Sequence, residues 1–337
     1  MIKVAINGFG RIGRSAFKIA LDKFSSEIEI VGLNDLTDSK TLAHLLKYDS
    51  NYGVWDHSVS ADDSPTEEYI TVDSKKYPVF KEKEPQNLPW KELEVDVVIE
   101  STGRFTDEQG LKQHLSAGAK KVVLSAPAKG GNVGTFLIGV NQDDYKGESI
   151  LNNASCTTNC ISPVVETLNQ KFGILKAMMT TIHAYTQDQN LQDGPHKDLR
   201  RARAAAANMV PTSTGAALAT TEVIPSLKGL FDGVAIRVPV PVGSISDLTF
   251  VLKKKVTVEE VNQVLSEAAE GDLKDIMAVT NDPIVSSDIV GRPESSIVDL
   301  GLTQVVDGDM VKVFAWYDNE YGYSNRLVEQ VINVGKA

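Results

Sequence analysis

Residues 2–24, IKVAINGFGRIGRSAFKIALDKF, join a short apolar run to a helix-like one through three glycines, and no other stretch restricts the fold so tightly. Gly8, Gly10 and Gly13 stand in GxGxxG spacing, preceded by Asn7 and interleaved with Arg11 and Ile12. The spacing alone is weak. Here a strand leads in and a helix opens on RIGRSAFKIAL, which is the required context. Glycines at such a turn let backbone approach a pyrophosphate closely. The helix start adds free N–H groups and the positive end of its dipole. Asp35 supplies a third element. It ends the next apolar run, IEIVGLN, 22 residues after Gly13, where it would accept hydrogen bonds from ribose hydroxyls. An acid there repels a 2′-phosphate, so the segment predicts NAD rather than NADP. The bland alternative is a glycine turn with a surface aspartate, and three coinciding features make it the minority view.

The rest of the first 150 residues keeps the same rhythm. VDVVIESTG precedes DEQGLKQHLSAG, and KKVVLSAP and TFLIGVN follow. Strands alternating with helices predict a parallel sheet covered on both faces. Residues 58–89 break the rhythm with a polar stretch holding Pro65, Pro78, Pro85 and Pro89, in which YITVDSKKYPVF reads as a small hairpin inserted in a connection. From Ser155 the style changes. Apolar residues at 161, 164, 165, 168 and 172 predict a helix to about Phe172, with a kink at Pro163. LKAMMTTIHAYT and GVAIRVPVPVGSISDLTFVLKKKV alternate like half-buried strands. In the second, Val234, Ile236, Val238, Val240 and Val242 form one row and Arg237 points the other way. Thr257 and Glu260 predict a capping box. A last helix carries Leu327, Val328 and Val331 on one side. The fold class is therefore α/β: a Rossmann-type parallel-sheet dinucleotide-binding domain, plus an α+β catalytic domain with a mostly antiparallel sheet.

A chain of 337 residues is long enough for two such domains. Its net charge of −11 argues against nucleic acid or an anionic membrane as partner. No apolar run approaches the ~20 residues of a membrane span. The absence of a signal-peptide pattern and the presence of only two cysteines predict a reducing cytoplasm. Both cysteines fall in NNASCTTNC, residues 152–160. A disulfide is the weakest reading there, and a metal site lacks further ligands, leaving a buried bystander pair or a reactive thiol. Ser155 or Cys156 would start the helix, where dipole and free N–H groups favour a thiolate. Cys160, one turn further in, reads as packed and inert. Of five histidines, His44 and His114 read as structural and His57 as a loop residue, while His183 ends a strand before a polar loop. Arg237 is a plausible anion receptor. In PTSTGAA, Ser213 or Thr214 would cap a helix, and LRRARAAA is either a solvated basic helix face or a phosphate-attracting patch.

Together INGFGRIGR, ASCTTNC, TTIHAYT, HKDLRRARAAA, PTSTGAA, RVPVP and WYDNEYGYSNR, in this order over essentially the whole chain, resemble the phosphorylating glyceraldehyde-3-phosphate dehydrogenases. The resemblance implies an NAD-binding domain over 1–154, joined by a C-terminal helix over 319–337, and a catalytic domain over 155–318. It implies Cys156 as nucleophile and His183 as its base, with thioester chemistry consuming inorganic phosphate. Thr186, Asp188 and Arg237 match the site for the phosphate of glyceraldehyde 3-phosphate. Ser155, Thr157, Arg201, Thr214 and Gly215 match that for attacking phosphate. Asn7, Gly8, Gly10, Arg11, Ile12, Gly13, Asp35, Thr102, Ser125 and Asn319 match cofactor contacts, and Lys83 stands where an arginine near the adenine is common. The resemblance also implies a homotetramer and no metal. Two alternatives are an erythrose-4-phosphate dehydrogenase, which HAYTQDQ and STGAA disfavour, and a catalytically silent dinucleotide-binding regulator.

Overall fold

A computed structural model describes residues 1–63 and 68–337, so Pro65 of the polar stretch lies outside the described residues. Two compact units divide the chain. The first comprises Met1–Phe136, Asp143–Ala154 and Ser324–Ala337; the second comprises Leu137–Gln142 and Ser155–Tyr323.

The first unit holds β1 (Ile2–Asn7), α1 (Arg11–Phe24), β2 (Ile28–Asn34), α2 (Ser39–Lys47), β3 (Tyr48–Asp49), β4 (Gly53–Val54), β5 (Val59–Asp63), β6 (Glu68–Val72), β7 (Lys75–Phe80), β8 (Val97–Glu100), α3 (Glu108–Ser116), β9 (Lys121–Leu124), β10 (Gly134–Thr135) and β11 (Ile150–Asn152). Nine strands form one sheet in the order β10-β11-β9-β8-β1-β2-β7-β6-β5. From β10 to β7 every pairing is parallel. The central strands are short continuous apolar runs because a parallel sheet is buried on both faces. Every residue of β8 is buried, including its last, Glu100. In register, Asn7 lies beside Asn34 on one side and Glu100 on the other. The carboxyl ends of three strands thus meet where the glycine loop leaves the sheet.

The hairpin β6–β7 turns at Asp73 and Ser74, with φ of 45° and 76°, the positive values a two-residue hairpin turn demands. It does more than fill a connection: β7 pairs parallel with β2, so the insert extends the sheet and forms its antiparallel edge.

The second unit holds α4 (Cys156–Phe172), β12 (Ile174–Ala184), β13 (Val210–Ser213), α5 (Ala216–Val223), β14 (Phe231–Val238), β15 (Ser244–Leu252), α6 (Val258–Glu270), β16 (Met277–Thr280), β17 (Ser296–Val306) and β18 (Met310–Tyr317). α7 (Tyr321–Lys336) begins in this unit and ends in the first. The sheet order is β13-β14-β12-β15-β18-β17-β16. Four of its pairings are antiparallel, but β12 pairs parallel with β14 and β16 with β17. Ile161, Val164, Val165 and Leu168 of α4 are buried, and the helix packs on β12, β15, β17 and β18. It runs unbroken through Pro163, whose ring nitrogen cannot donate to the carbonyl one turn back. Thr257 and Glu260 form the capping box of α6. LRRARAAA is not helical: residues 199–203 are turn and only Ala205–Ala207 make a single 3₁₀ turn. The valine row of β14 ends with the strand at Val238. Its members Val234, Ile236 and Val238 are exposed or half-buried, while Ala235 on the helix side is buried.

Candidate active site

The glycine loop is built for a ligand that needs bare backbone. Gly8 has φ of 93°, and a Cβ there would lie 2.5 Å from the Thr102 nitrogen. A Cβ on Gly13 would lie 2.1 Å from the Gly8 carbonyl oxygen. Gly10 differs: a Cβ would meet nothing within 4 Å. As N-cap of α1 it provides no side chain to the helix, so the first N–H groups of α1 have no capping partner from it. The open, positively polarised start of α1, beside a turn whose glycines pack closely on neighbouring backbone, fits a dinucleotide pyrophosphate. Asp35 follows β2, its Oδ2 accepting from the Phe9 N–H at 2.9 Å and its Oδ1 from Thr37 at 3.0 Å. It therefore sits at the loop, with lone pairs remaining for hydroxyls. Arg11 turns to Asp49 at 2.7 Å and to the Tyr52 ring at 5.8 Å, while Ile12 is half-buried beside it. Thr102 and Ser125 follow β8 and β9, and the Ser125 N–H donates to the Glu100 carbonyl at 2.9 Å. Lys83 is exposed in the loop after β7, at the same sheet end as Asp35. Asn319 belongs to the second unit. Its Oδ1 accepts from Gly243 N–H at 3.0 Å and from the Ser244 hydroxyl at 3.1 Å, which leaves its amide nitrogen as the remaining donor.

The thiol geometry starts from a backbone constraint. β11 turns abruptly into α4 at Ala154, whose φ of 50° is uncommon for a residue with a Cβ. Ser155 is the N-cap, accepting from Thr158 N–H at 3.1 Å, so Cys156 is the first helical residue. Its Sγ lies 3.4 Å from His183 Nε2. His183 Nδ1 donates to the Ala184 carbonyl at 2.7 Å, so Nε2 carries the lone pair and faces the sulfur. His183 and Arg237 are register partners on the parallel strands β12 and β14, hence on one face of the sheet. Arg237 Nη1 comes within 3.1 Å of His183 Nδ1 and donates to Ala184 O at 3.2 Å and Thr186 Oγ1 at 2.8 Å.

Opposing influences act on the thiolate expected at this helix start. Burial pushes the Cys156 thiol up, against the opposing pull of the Arg237 charge and of hydrogen bonds from Thr157. Burial and Arg237 together drive His183 down to about 3. Burial thus works against charge on both partners, although Cys156 itself is only half-buried. Cys160 is fully buried and burial pushes its thiol up as well.

The residues matched to phosphate sites fall into two groups joined by Asp188. Thr186 Oγ1 donates to one Asp188 oxygen and Arg201 Nη1 to the other. Burial acts to raise the Asp188 carboxyl, but the Thr186 hydroxyl, Arg237 and Arg201 outweigh it and hold it below the usual carboxylate range. Arg201 also donates from Nε to Thr212 Oγ1 at 2.9 Å and from Nη2 to Ser213 O at 3.1 Å. The Arg237 Nε is buried with no hydrogen-bond partner, a donor left for an anion. Gly215, not Ser213 or Thr214, is the N-cap of α5; Thr214 Oγ1 reaches the Ala216 N–H at 3.2 Å. Thr157 departs from its expected role. Its hydroxyl pairs inward with the Tyr317 hydroxyl at 2.9 Å, leaving its backbone N–H as the group at the helix start. Sequence reasoning missed two residues. Tyr317 also bonds Thr181 Oγ1 at 2.8 Å and stands edge-on to His183, with ring centroids 5.9 Å apart. Glu100 is buried beneath the glycine loop, and its one signal was an acid closing the apolar run Val97–Ile99.

Comparison with known proteins agrees with both halves of this geometry. Residues 2–108 match the family model described as glyceraldehyde 3-phosphate dehydrogenase, NAD binding domain, and residues 155–319 match that of its C-terminal domain. A glyceraldehyde-3-phosphate dehydrogenase of Mycobacterium avium is 55% identical over 341 residues, covering 100% of this chain and 99% of that protein. One of Mycolicibacterium smegmatis is 56% identical over 342 residues, with coverage of 100% and 99%. Glyceraldehyde-3-phosphate dehydrogenase 2 of Streptomyces avermitilis is 52% identical over 336 residues, covering 99% and 98%. With two family models spanning both units and relatives matched end to end, the chain belongs to the glyceraldehyde-3-phosphate dehydrogenase family.

Proposed function

We propose that this chain catalyses the NAD-dependent oxidative phosphorylation of glyceraldehyde 3-phosphate to 1,3-bisphosphoglycerate, with Cys156 as nucleophile. The observation that carries the mechanism is Cys156 Sγ at 3.4 Å from His183 Nε2, beside Arg237. His183 Nε2 takes the thiol proton as sulfur bonds to the aldehyde carbon. The new oxyanion is met by the protonated His183 and by the Cys156 backbone N–H, and takes the proton back. NAD, when bound, supplies the acceptor for the hydride on this carbon. His183 takes the hydroxyl proton at the same stage, which leaves an acyl thioester on Cys156. Inorganic phosphate then attacks the acyl carbon, and the thiolate leaves and recovers its proton from His183. The proton carried by the phosphate passes to solvent. Thr186 and Arg237 hold the substrate phosphate, and Asp188 supports that site by accepting from Thr186 and Arg201. Ser155, Thr157 through its N–H, Arg201, Thr214 and Gly215 hold the attacking one. Asn7, Gly8, Gly10, Arg11, Ile12, Gly13, Asp35, Lys83, Thr102, Ser125 and Asn319 bind NAD.

The wider reading assigns 1–154 with the helix of 319–337 to cofactor binding and 155–318 to catalysis, in a cytoplasmic homotetramer. The exposed valine side of β14 supports self-association. The direct test is absorbance of reduced cofactor with glyceraldehyde 3-phosphate, with and without phosphate. Turnover that needs phosphate and vanishes in Cys156→Ser is expected. Turnover independent of phosphate would favour hydrolysis of the thioester, and no turnover at all would favour a silent regulator.

A further inference from the structure

Beneath the glycine loop, the ends of β1, β2 and β8 carry a chain of buried side chains that the mechanism above leaves unused. Glu100 is fully buried. Its Oε1 accepts from the Thr102 backbone N–H at 2.8 Å and from the Thr102 hydroxyl. Its Oε2 accepts from Asn7 Nδ2 at 2.5 Å and meets His114 Nε2 at 3.0 Å. Trp90 sets the polarity of that last contact. An indole N–H only donates, and it reaches His114 Nδ1 at 3.0 Å, so Nε2 bears the imidazole proton and donates to Glu100. Asn7 Oδ1 in turn accepts from Asn34 Nδ2 at 2.7 Å, and Asn34 Oδ1 from the Glu82 N–H at 2.9 Å. The adjoining backbone is tied to the same loop: the Ser101 hydroxyl donates to the Gly8 carbonyl at 2.7 Å.

A buried carboxylate is costly unless donors surround it. Here the donors include Asn7 and Thr102, while the Glu100 carbonyl holds Ser125. We propose that Glu100 is a positioning residue for NAD, fixing Asn7, Thr102 and the Gly8 turn in the binding conformation, with His114 and Trp90 seating its carboxylate. This rests on the assignment of those residues to the cofactor site.

The sign of the effect discriminates. NAD carries an anionic pyrophosphate, so deleting a nearby carboxylate would tighten binding by Coulomb's law alone. Deleting a positioner weakens it. A purely structural residue would change stability and leave the affinity of the folded chain unaltered. The measurement is isothermal titration of the full chain with NAD, alongside steady-state kinetics. Glu100→Gln keeps the shape, but its amide NH₂ must face a donor whichever way it turns. Its Kd for NAD should rise roughly tenfold or more, with KM for NAD following and kcat at saturating NAD within about twofold. His114→Phe should weaken NAD in the same direction. His114→Gln, whose amide donates to Glu100 and accepts from Trp90, should restore the affinity. An unchanged or tighter Kd in Glu100→Gln overturns the proposal. If that variant does not fold, the histidine pair decides, and His114→Gln binding as weakly as His114→Phe overturns it. Asp35→Gly separates the two levels. It should narrow the preference for NAD over NADP. If it does not, the cofactor-site assignment falls and takes the proposal with it; if it does while Glu100→Gln binds normally, only the positioning role falls.

Discussion

Cys156 Sγ has the His183 imidazole at 3.4 Å, whereas Cys160 lies by the Ser296 hydroxyl at 3.9 Å and the Ala315 carbonyl at 3.7 Å, with Ser246 also beside it. Burial raises both thiols, but Cys156 alone of the two has an imidazole beside it and the Arg237 charge pulling the other way. Cys156→Ser should lower turnover by ~10⁴-fold or more, since the nucleophile is lost. Cys160→Ser should fold and stay within a few-fold of the parent. Iodoacetamide labelling followed by mass spectrometry checks the ordering: Cys156 should react in the folded chain and Cys160 only on unfolding. The rate at Cys156 should still be rising near the free-thiol value of about 8.5, because its pKa is pushed up. A plateau reached by pH 6 would mean that Arg237 and the helix amides outweigh burial. His183 adds a signature in stability. Its folded pKa of about 3 lies below its ordinary value of 6.5, so above pH 6.5 it contributes no pH dependence. As pH falls below 6.5 the unfolded chain binds a proton that the folded chain refuses, and stability is lost toward pH 3. The loss is on the order of 5 kcal/mol for the full shift. His183→Gln should flatten that part of the acid limb in denaturant titrations; an unchanged limb would refute the buried neutral imidazole.

At the scale of elements, the glycine loop separates folding from binding. Gly13→Ala puts a Cβ 2.1 Å from the Gly8 carbonyl, a backbone clash that must displace α1 or the loop. It should cost ~3 kcal/mol or more and abolish NAD binding together with stability. Gly10 has φ of −74°, which alanine adopts freely, and open space where its Cβ would go. Gly10→Ala should therefore unfold within about 0.5 kcal/mol of the parent and yet bind NAD less tightly, because the methyl group occupies the approach to the helix start. Equal loss of stability in the two variants, read by thermal unfolding, would show the contrast to be wrong. Elements of this kind were legible because their signals are local. The strand–glycine–helix turn, the apolar spacing of α4 and the Thr257–Glu260 box each sit within a few residues. What the sequence hid was pairing between distant strands. His183 and Arg237 are 54 residues apart, and only the parallel register of β12 and β14 sets them side by side. Alternation predicts a strand but neither its direction nor its neighbours, so the reading of a mostly antiparallel sheet did not contain the parallel pair β12–β14, and the edge hairpin read as an insert in a connection. Glu100 escaped for the same reason, since its distant partners Asn7 and His114 come from β1 and α3, and Trp90 reaches it only through His114.

At the scale of the whole molecule, the proposed self-association needs a surface, and the second unit offers one. In the second unit α4 and α5 pack on one side of the sheet, and on the other side Met178 is 62% and Val234 49% exposed, next to half-buried Ile182, Ile236, Ile245, Val251 and Phe314. The polar loop after β12 adds Leu191 at 78% and Leu199 at 80%. Thr180, Thr249 and the Asp247–Lys312 ion pair interleave with these residues, so the face is mixed rather than wholly apolar, and we propose that it is an interface between copies of the chain. No helix among the described residues is long and apolar enough to cross a membrane, so a bilayer-spanning role for α-helices is not what covers it. The net charge of −11 also opposes association driven by attraction between copies, which leaves apolar burial as the force. A second copy of the same face satisfies both conditions, and repetition about a further axis through the loop would give the proposed tetramer. Light scattering at micromolar concentration should accordingly return the mass of four chains. That mass should persist in high salt, since screening weakens charge repulsion and leaves apolar contact intact. Met178→Asp with Val234→Asp places two carboxylates on the face and should reduce the assembly to dimers or monomers, with an unchanged far-ultraviolet circular dichroism spectrum. A parent chain that is a stable monomer removes the claim. A double variant that remains four chains moves the interface off this sheet face.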